Sequence, residues 1–152
     1  MEAAQQREQL RVATSRFGTV EIEADKIITM TAPFLGFPRS LHFFLRPHSD
    51  NSPFLWLQSV DEPDLAFVTM QSSVLLPEYA PELGEALARE LQMAGGARPD
   101  LLLILTIPDG RPREMTANLL GPVALNVEKR LGRQVLLDPN RYDPCWKVFA
   151  EE

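Results

Sequence analysis

The 152-residue sequence predicts a mainly β fold: one antiparallel, barrel-like domain carrying one principal helix at about residues 82–93. Three observations predict it. Thirteen prolines exceed the usual share of about 5%, and most of them punctuate the chain. Pro47, Pro53, Pro63, Pro77, Pro99, Pro108, Pro112, Pro122 and Pro139 all fall between apolar runs. Proline lacks the N–H that a sheet ladder needs, so it gathers at strand ends and turns. The intervals between prolines alternate in polarity or form short unbroken apolar runs, as strands do. Only one segment repeats with a helical period.

In chain order, residues 1–14 are polar and helix-compatible and read as an N-terminal arm, mobile or a short helix. A single domain then spans residues 15–150. "FGTVEIEA" alternates faces, and "KIITM" follows closely. "LHFFLR" and "FLWLQSV" read as core strands, with Trp56 inside, and "LAFVTM" succeeds them. In "PELGEALARELQM", Leu83, Leu87 and Leu91 recur at helical spacing, Pro81 suits the start and Gly95-Gly96 the end. "LLLILTI" is a short unbroken apolar run, the signature of a strand covered on both faces. Asp109-Gly110 predicts a tight turn into "REMTANLL", where Met115, Ala117 and Leu119 share a face. "VALNV" and "GRQVLL" close the series through a hairpin at "EKRLG", with Gly132 in the left-handed position.

Composition narrows the function classes. The net charge of −6 is opposite to what neutralising phosphates requires, so direct nucleic-acid binding is not expected; an acidic protein speeds its encounter with a basic partner. Cys145 is the single cysteine, which removes any internal disulfide framework or cysteine metal cluster. It reads as a small, partly buried hydrophobe. No apolar run approaches the ~20 residues of a membrane helix, and "MEAAQQREQLRVATS" lacks a secretory apolar region. The expected location is the cytoplasm, with no membrane partner.

No catalytic motif emerges. His42 and His48 fit no familiar zinc spacing and read as strand histidines at or near the surface. Asp61-Glu62-Pro63-Asp64 lacks the spacing of a calcium loop or a glycosidase pair and reads as a solvated turn. Neither a serine elbow nor a phosphate-cradling glycine loop is present. No cofactor is implied. A ligand-binding or enzymatic use of the barrel interior would need a pocket, with Asp61 or Glu62 beside His42 or His48 in a cleft.

Polar residues within apolar strands remain: Gln58, Ser59, Thr116, Asn118, Asn126 and Gln134. They serve equally well as buried hydrogen-bonding groups or as a recognition surface.

These strands carry a family resemblance. Phe54, Leu57-Gln58-Ser59-Val60 and Leu65-Ala66-Phe67 are followed by Thr116-Ala117-Asn118-Leu119, Pro122 and Asn126, then by Gly132, Gln134, Leu137 and Asp138. This ordered set, from about Arg16 to Tyr142, resembles the flagellar assembly factor FliW family. "PFLGFP" and "PNRY" depart from the family's usual residues there. The resemblance implies a small barrel-like protein without catalytic activity. It also implies two partners, the RNA-binding translational regulator CsrA and flagellin. Holding CsrA relieves repression of flagellin translation, and newly made flagellin competes for the same protein. Gln58, Ser59, Asp61, Glu62, Asn118, Asn126 and Gln134 are the candidate partner-binding or family-motif residues.

Overall fold

A computed structural model describes residues 8–149. Its strands are β1 (Gln9–Thr14), β2 (Gly18–Glu23), β3 (Ile28–Met30), β4 (His42–Pro47), β5 (Leu55–Ser59), β6 (Ala66–Gln71), β7 (Asp100–Thr106), β8 (Thr116–Ala117), β9 (Val123–Asn126), β10 (Leu131–Gln134) and β11 (Trp146–Lys147). Two short helices, α1 (Ser72–Leu75) and α2 (Glu85–Glu90), lie between β6 and β7.

The order β7-β6-β5-β4-β3-β10-β9 closes on itself, because β9 pairs back with β7 through Leu102↔Val123, Leu101↔Ala124 and Asp100↔Leu125. The result is a closed seven-stranded barrel. One pairing is not antiparallel. β3 and β10 run parallel, Leu131 opposite Thr29 and Gly132 opposite Met30. Turn residues encode only local hairpins, so a pairing across a hundred residues leaves no local mark in the sequence.

The interior is packed. Ile28, Met30, Phe34, Phe43, Leu57, Leu102, Val123 and Leu125 fill it, joined by Leu45, Leu55, Phe67 and Ile104. Phe34 enters from the segment after β3 and meets Phe43 at 5.2 Å and Phe67 at 4.8 Å between ring centroids. β7 is covered on both faces, as its composition predicts. Leu102 and Ile104 face the interior, while Leu103 and Leu105 pack outside against Met70, Met115, Ala117 and Leu119.

Five local expectations are corrected. Residues 9–14 are not an arm or a helix. They form β1, paired with β2 from Gln9↔Glu23 to Thr14↔Gly18. Val12 is buried while Gln9, Arg11 and Ala13 are exposed, an alternation that the polar composition masks. Residues 1–7 of the expected arm lie outside the described residues.

The principal helix is shorter than residues 82–93, running Glu85–Glu90. Gly84, at φ 84°, precedes it, and Gln92, at φ 56°, ends it. Met93 N–H donates to Ala88 O and Gln92 N–H to Arg89 O, the paired bonds of a left-handed C-terminal cap. The stop therefore falls before Gly95-Gly96. Leu87 and Leu91 bury against Ala124, with Leu83, Leu101, Leu131 and Val135 around them.

In the β9–β10 hairpin the left-handed residue is Arg130, at φ 58°, rather than Gly132. Gly132 is needed for space: a Cβ there would meet Leu125 Cδ2 at 2.8 Å and Met30 Sδ at 3.1 Å. Trp56 points outward from the barrel, opposite Arg46 and Val68 across the sheet, and is only half-buried. Cys145 is exposed, on the turn that leads into β11.

Candidate functional site

The end of β5 and the loop that follows it carry four of the candidate residues, and the structure ties them into one network. Gln58 and Ser59 are fully buried. Gln58 faces out of the barrel, where Nε2 reaches the carbonyls of Ser59 (3.0 Å), Leu65 (3.1 Å) and Pro63 (3.2 Å). Ser59 Oγ accepts the N–H groups of Asp61 (3.1 Å) and Glu62 (2.9 Å) and lies 2.9 Å from Ser40 Oγ. The Ser40 hydroxyl also bonds the Glu62 carboxylate. One buried pair of hydroxyls thus fixes the turn to the segment leading into β4.

Asp61 acts on that same segment. Its Oδ2 accepts the N–H groups of Leu41 at 2.8 Å and His42 at 2.9 Å, and the His42 ring lies 3.2 Å away. Partial burial pushes the Asp61 pKa up, but the Leu41 and His42 amides with the His42 ring outweigh it and hold the carboxyl below its ordinary value. Glu62 also faces Arg39 at 3.8 Å, and Asp64 accepts the Ser15 hydroxyl. The acidic turn is solvated, as its composition suggests, yet its carboxylates are anchors as well.

Asp61 does stand beside a histidine, one part of what an enzymatic reading requires. The pair sits at an exposed rim, with side-chain exposures of 46% for His42 and 31% for Asp61. The shallow depression at this turn is lined by Phe37, Arg39 and residues 61–65, without His42. Among the described residues no three His, Cys, Asp or Glu side chains converge as metal ligands.

The other candidates lie on the far half of the barrel. Asn118 Oδ1 accepts the N–H groups of Leu120 (3.0 Å) and Gly121 (2.9 Å), turning the chain out of β8. Gln134 Nε2 donates to Gly121 O at 3.2 Å. Gly121 is pinned between them, since a Cβ there would lie 2.9 Å from Gln134 Nε2. Asn126, buried, donates from Nδ2 to Leu91 O (2.7 Å) and Gln92 O (3.2 Å) and accepts Lys129 N–H at 3.2 Å. It fastens the end of α2 to the β9–β10 hairpin. The structure does not bring Asn118, Asn126 and Gln134 together with the acidic turn.

Sequence reasoning missed Ser40 and the Glu90–Arg133 pair. Glu90 receives Arg133 Nη1 at 2.6 Å and the Thr31 hydroxyl, and these bonds hold its carboxyl below the ordinary range. The helical spacing identified the buried face of α2; nothing in it indicated what Glu90 would meet.

The fold and these residues define a closed β-barrel with a packed interior, whose motif polar groups serve architecture and whose remaining chemistry lies on the surface. A family model described as FliW protein matches residues 11–147. A flagellar assembly factor FliW of Magnetococcus marinus is 39% identical over 127 residues, which cover 84% of this chain and 78% of that protein. Another, from Desulfitobacterium hafniense, is 37% identical over 142 residues, 93% of each chain. A crystal structure of the flagellar assembly factor FliW matches with a TM-score of 0.83 at 33% identity, covering 93% of this chain and 99% of that one. This chain belongs to the FliW family.

Proposed function

We propose that the chain acts in flagellar assembly as a non-enzymatic, partner-switching regulator in the cytoplasm. It binds a CsrA-type translational regulator, relieving repression of flagellin translation, and it binds flagellin as a chaperone. The observation that carries this reading is the family match across nearly the whole chain, together with relatives named as flagellar assembly factors. The packed interior supports it, because it leaves protein surfaces as the available means of recognition. The net charge of −6 suits a basic, RNA-binding partner. No helix among the described residues is long and apolar enough to cross a membrane.

The test is gel filtration of the purified protein mixed separately with CsrA and with the cognate flagellin. Co-elution with each is the expected result. Failure with both ends the proposal; failure with CsrA alone leaves the flagellin role standing.

A further inference from the structure

On the outer face of β4 and β5, cations and aromatic rings alternate. The Arg16 guanidinium lies 4.0 Å from the Trp56 ring centroid, and that of Arg46 lies 4.5 Å from the Phe17 centroid. Phe17 meets Trp56 edge-on at 6.2 Å, and the Trp56 indole N–H donates to His48 Nδ1 at 3.3 Å. Arg46 and Trp56 are direct cross-strand neighbours, while Arg16 and Phe17 come from the β1–β2 turn. That turn is held down by Ser15 N–H donating to Pro63 O at 3.0 Å. The two arginines and His48 are exposed, and the two rings are half-buried.

Arg39, Arg89, Arg111 and Arg133 each meet a glutamate, and Arg113 and Arg141 lie singly over Phe149 and Tyr142; Arg16 and Arg46 instead share one pair of touching rings. Among the described residues, Arg16 and Arg46 form no ion pair and meet only rings. Asp64, which borders the same cleft as Arg16, accepts the Ser15 hydroxyl and forms no ion pair with Arg16. A guanidinium stacked on a ring is oriented in advance and keeps its N–H edge free for a carboxylate or phosphate.

We propose that this ladder is a docking surface for a short acidic segment of a protein partner, its carboxylates on Arg16 and Arg46 and an apolar side chain on the shelf of Phe17 and Trp56. Charge complementarity selects the acidic ligand, and its small extent selects a protein segment over a nucleic acid. Beyond a Debye length of about 8 Å the net charge of −6 is screened, so the patch governs a short ligand. A long polyanion extends past it onto an acidic surface and gains few phosphate contacts. The surface adjoins the acidic turn at Pro63 and Asp64 without including Asp61 or Glu62, and the proposal does not depend on CsrA or flagellin binding.

The test uses a fluorescein-labelled peptide of glutamates flanking a central phenylalanine, with labelled oligo(dT) as comparison. Fluorescence anisotropy is expected to show peptide binding that weakens with added salt. In a two-dimensional NMR spectrum the Trp56 indole N–H should shift while that of Trp146 stays in place. The Arg16→Ala/Arg46→Ala double variant should bind about tenfold or more weakly with its melting temperature nearly unchanged. The Arg16→Lys/Arg46→Lys variant, which keeps the charge but loses the planar fork, should fall between the two. Absence of peptide binding, unchanged binding by the double alanine variant, or oligo(dT) binding as tightly as the peptide would overturn the proposal.

Discussion

Replacing Asn126 with alanine removes the fastening between α2 and the barrel. The carboxamide makes three hydrogen bonds, two from Nδ2 to Leu91 O and Gln92 O and one from Lys129 N–H to Oδ1. Each net bond contributes about 1 kcal/mol, and a buried group left without a partner costs about 1–3 kcal/mol. The 2.7 Å bond to Leu91 O is the one whose loss strands a carbonyl in the core, because Leu91 has no solvent exposure. The two bonds at 3.2 Å are weaker. The expected loss is about 2–3 kcal/mol, a fall of roughly 5–10 °C in Tm for a domain of this size. Urea melts followed by far-UV circular dichroism measure the loss, and hydrogen exchange at the α2 amides locates it. Asn126→Asp provides the sharper comparison. Aspartate still accepts from Lys129 but sets a carboxylate against two carbonyl oxygens, so at pH 7 it should be less stable than Asn126→Ala. A loss below about 0.5 kcal/mol for Asn126→Ala, or wild-type stability for Asn126→Asp, would refute the reasoning.

Further expectations concern the rest of the molecule. Because the Asp61 pKa is lowered in the folded state, its contribution is present above the unfolded value of about 3.9 and is lost as pH falls through the folded value. Asp61→Asn should therefore be less stable than wild type at pH 7, with the gap narrowing below about pH 4; urea midpoints across that range check it, and a constant gap would refute it. Gly132→Ala should destabilise by about 1–3 kcal/mol through overpacking against Leu125 and Met30, measured as a lower urea midpoint. Phe43→Ala should cost about 3–5 kcal/mol, as a core aromatic does. Trp56→Ala, on the outer face, should cost only about 1–2 kcal/mol, and equal thermal shifts for the two variants would place Trp56 in the core after all.

The barrel's strands were largely legible because period and punctuation are local properties. Proline positions and the apolar runs "LHFFLR", "LAFVTM" and "VALNV" bounded β4, β6 and β9 closely. Trp56 was misplaced for a related reason: strand composition shows that a residue lies in a strand, and only register shows which face it takes. Gln58, next in line on that outer face, is buried completely because the β5–β6 loop folds over it.

The candidate residues divide in the same way. Sequence singled out Gln58, Ser59, Asp61, Glu62, Asn118, Asn126 and Gln134, without deciding between contact and structure. Their roles depend on atoms far along the chain: Ser40 for Ser59, Leu41 for Asp61, Leu91 for Asn126. Hydrogen-bond partners are fixed by distance in space, which no spacing in sequence encodes.

Sequence by itself determined a mainly β, acidic chain bearing the FliW motifs, because composition and ordered local patterns survive without a fold. The tertiary structure alone decided that the barrel closes through β9 and β7 with one parallel joint between β3 and β10. It also decided that the acidic turn is an anchor and that Arg16, Phe17, Arg46 and Trp56 form one surface. Closure and stacking arise when distant segments meet, and their energies depend on separations of a few ångströms that the linear order leaves open.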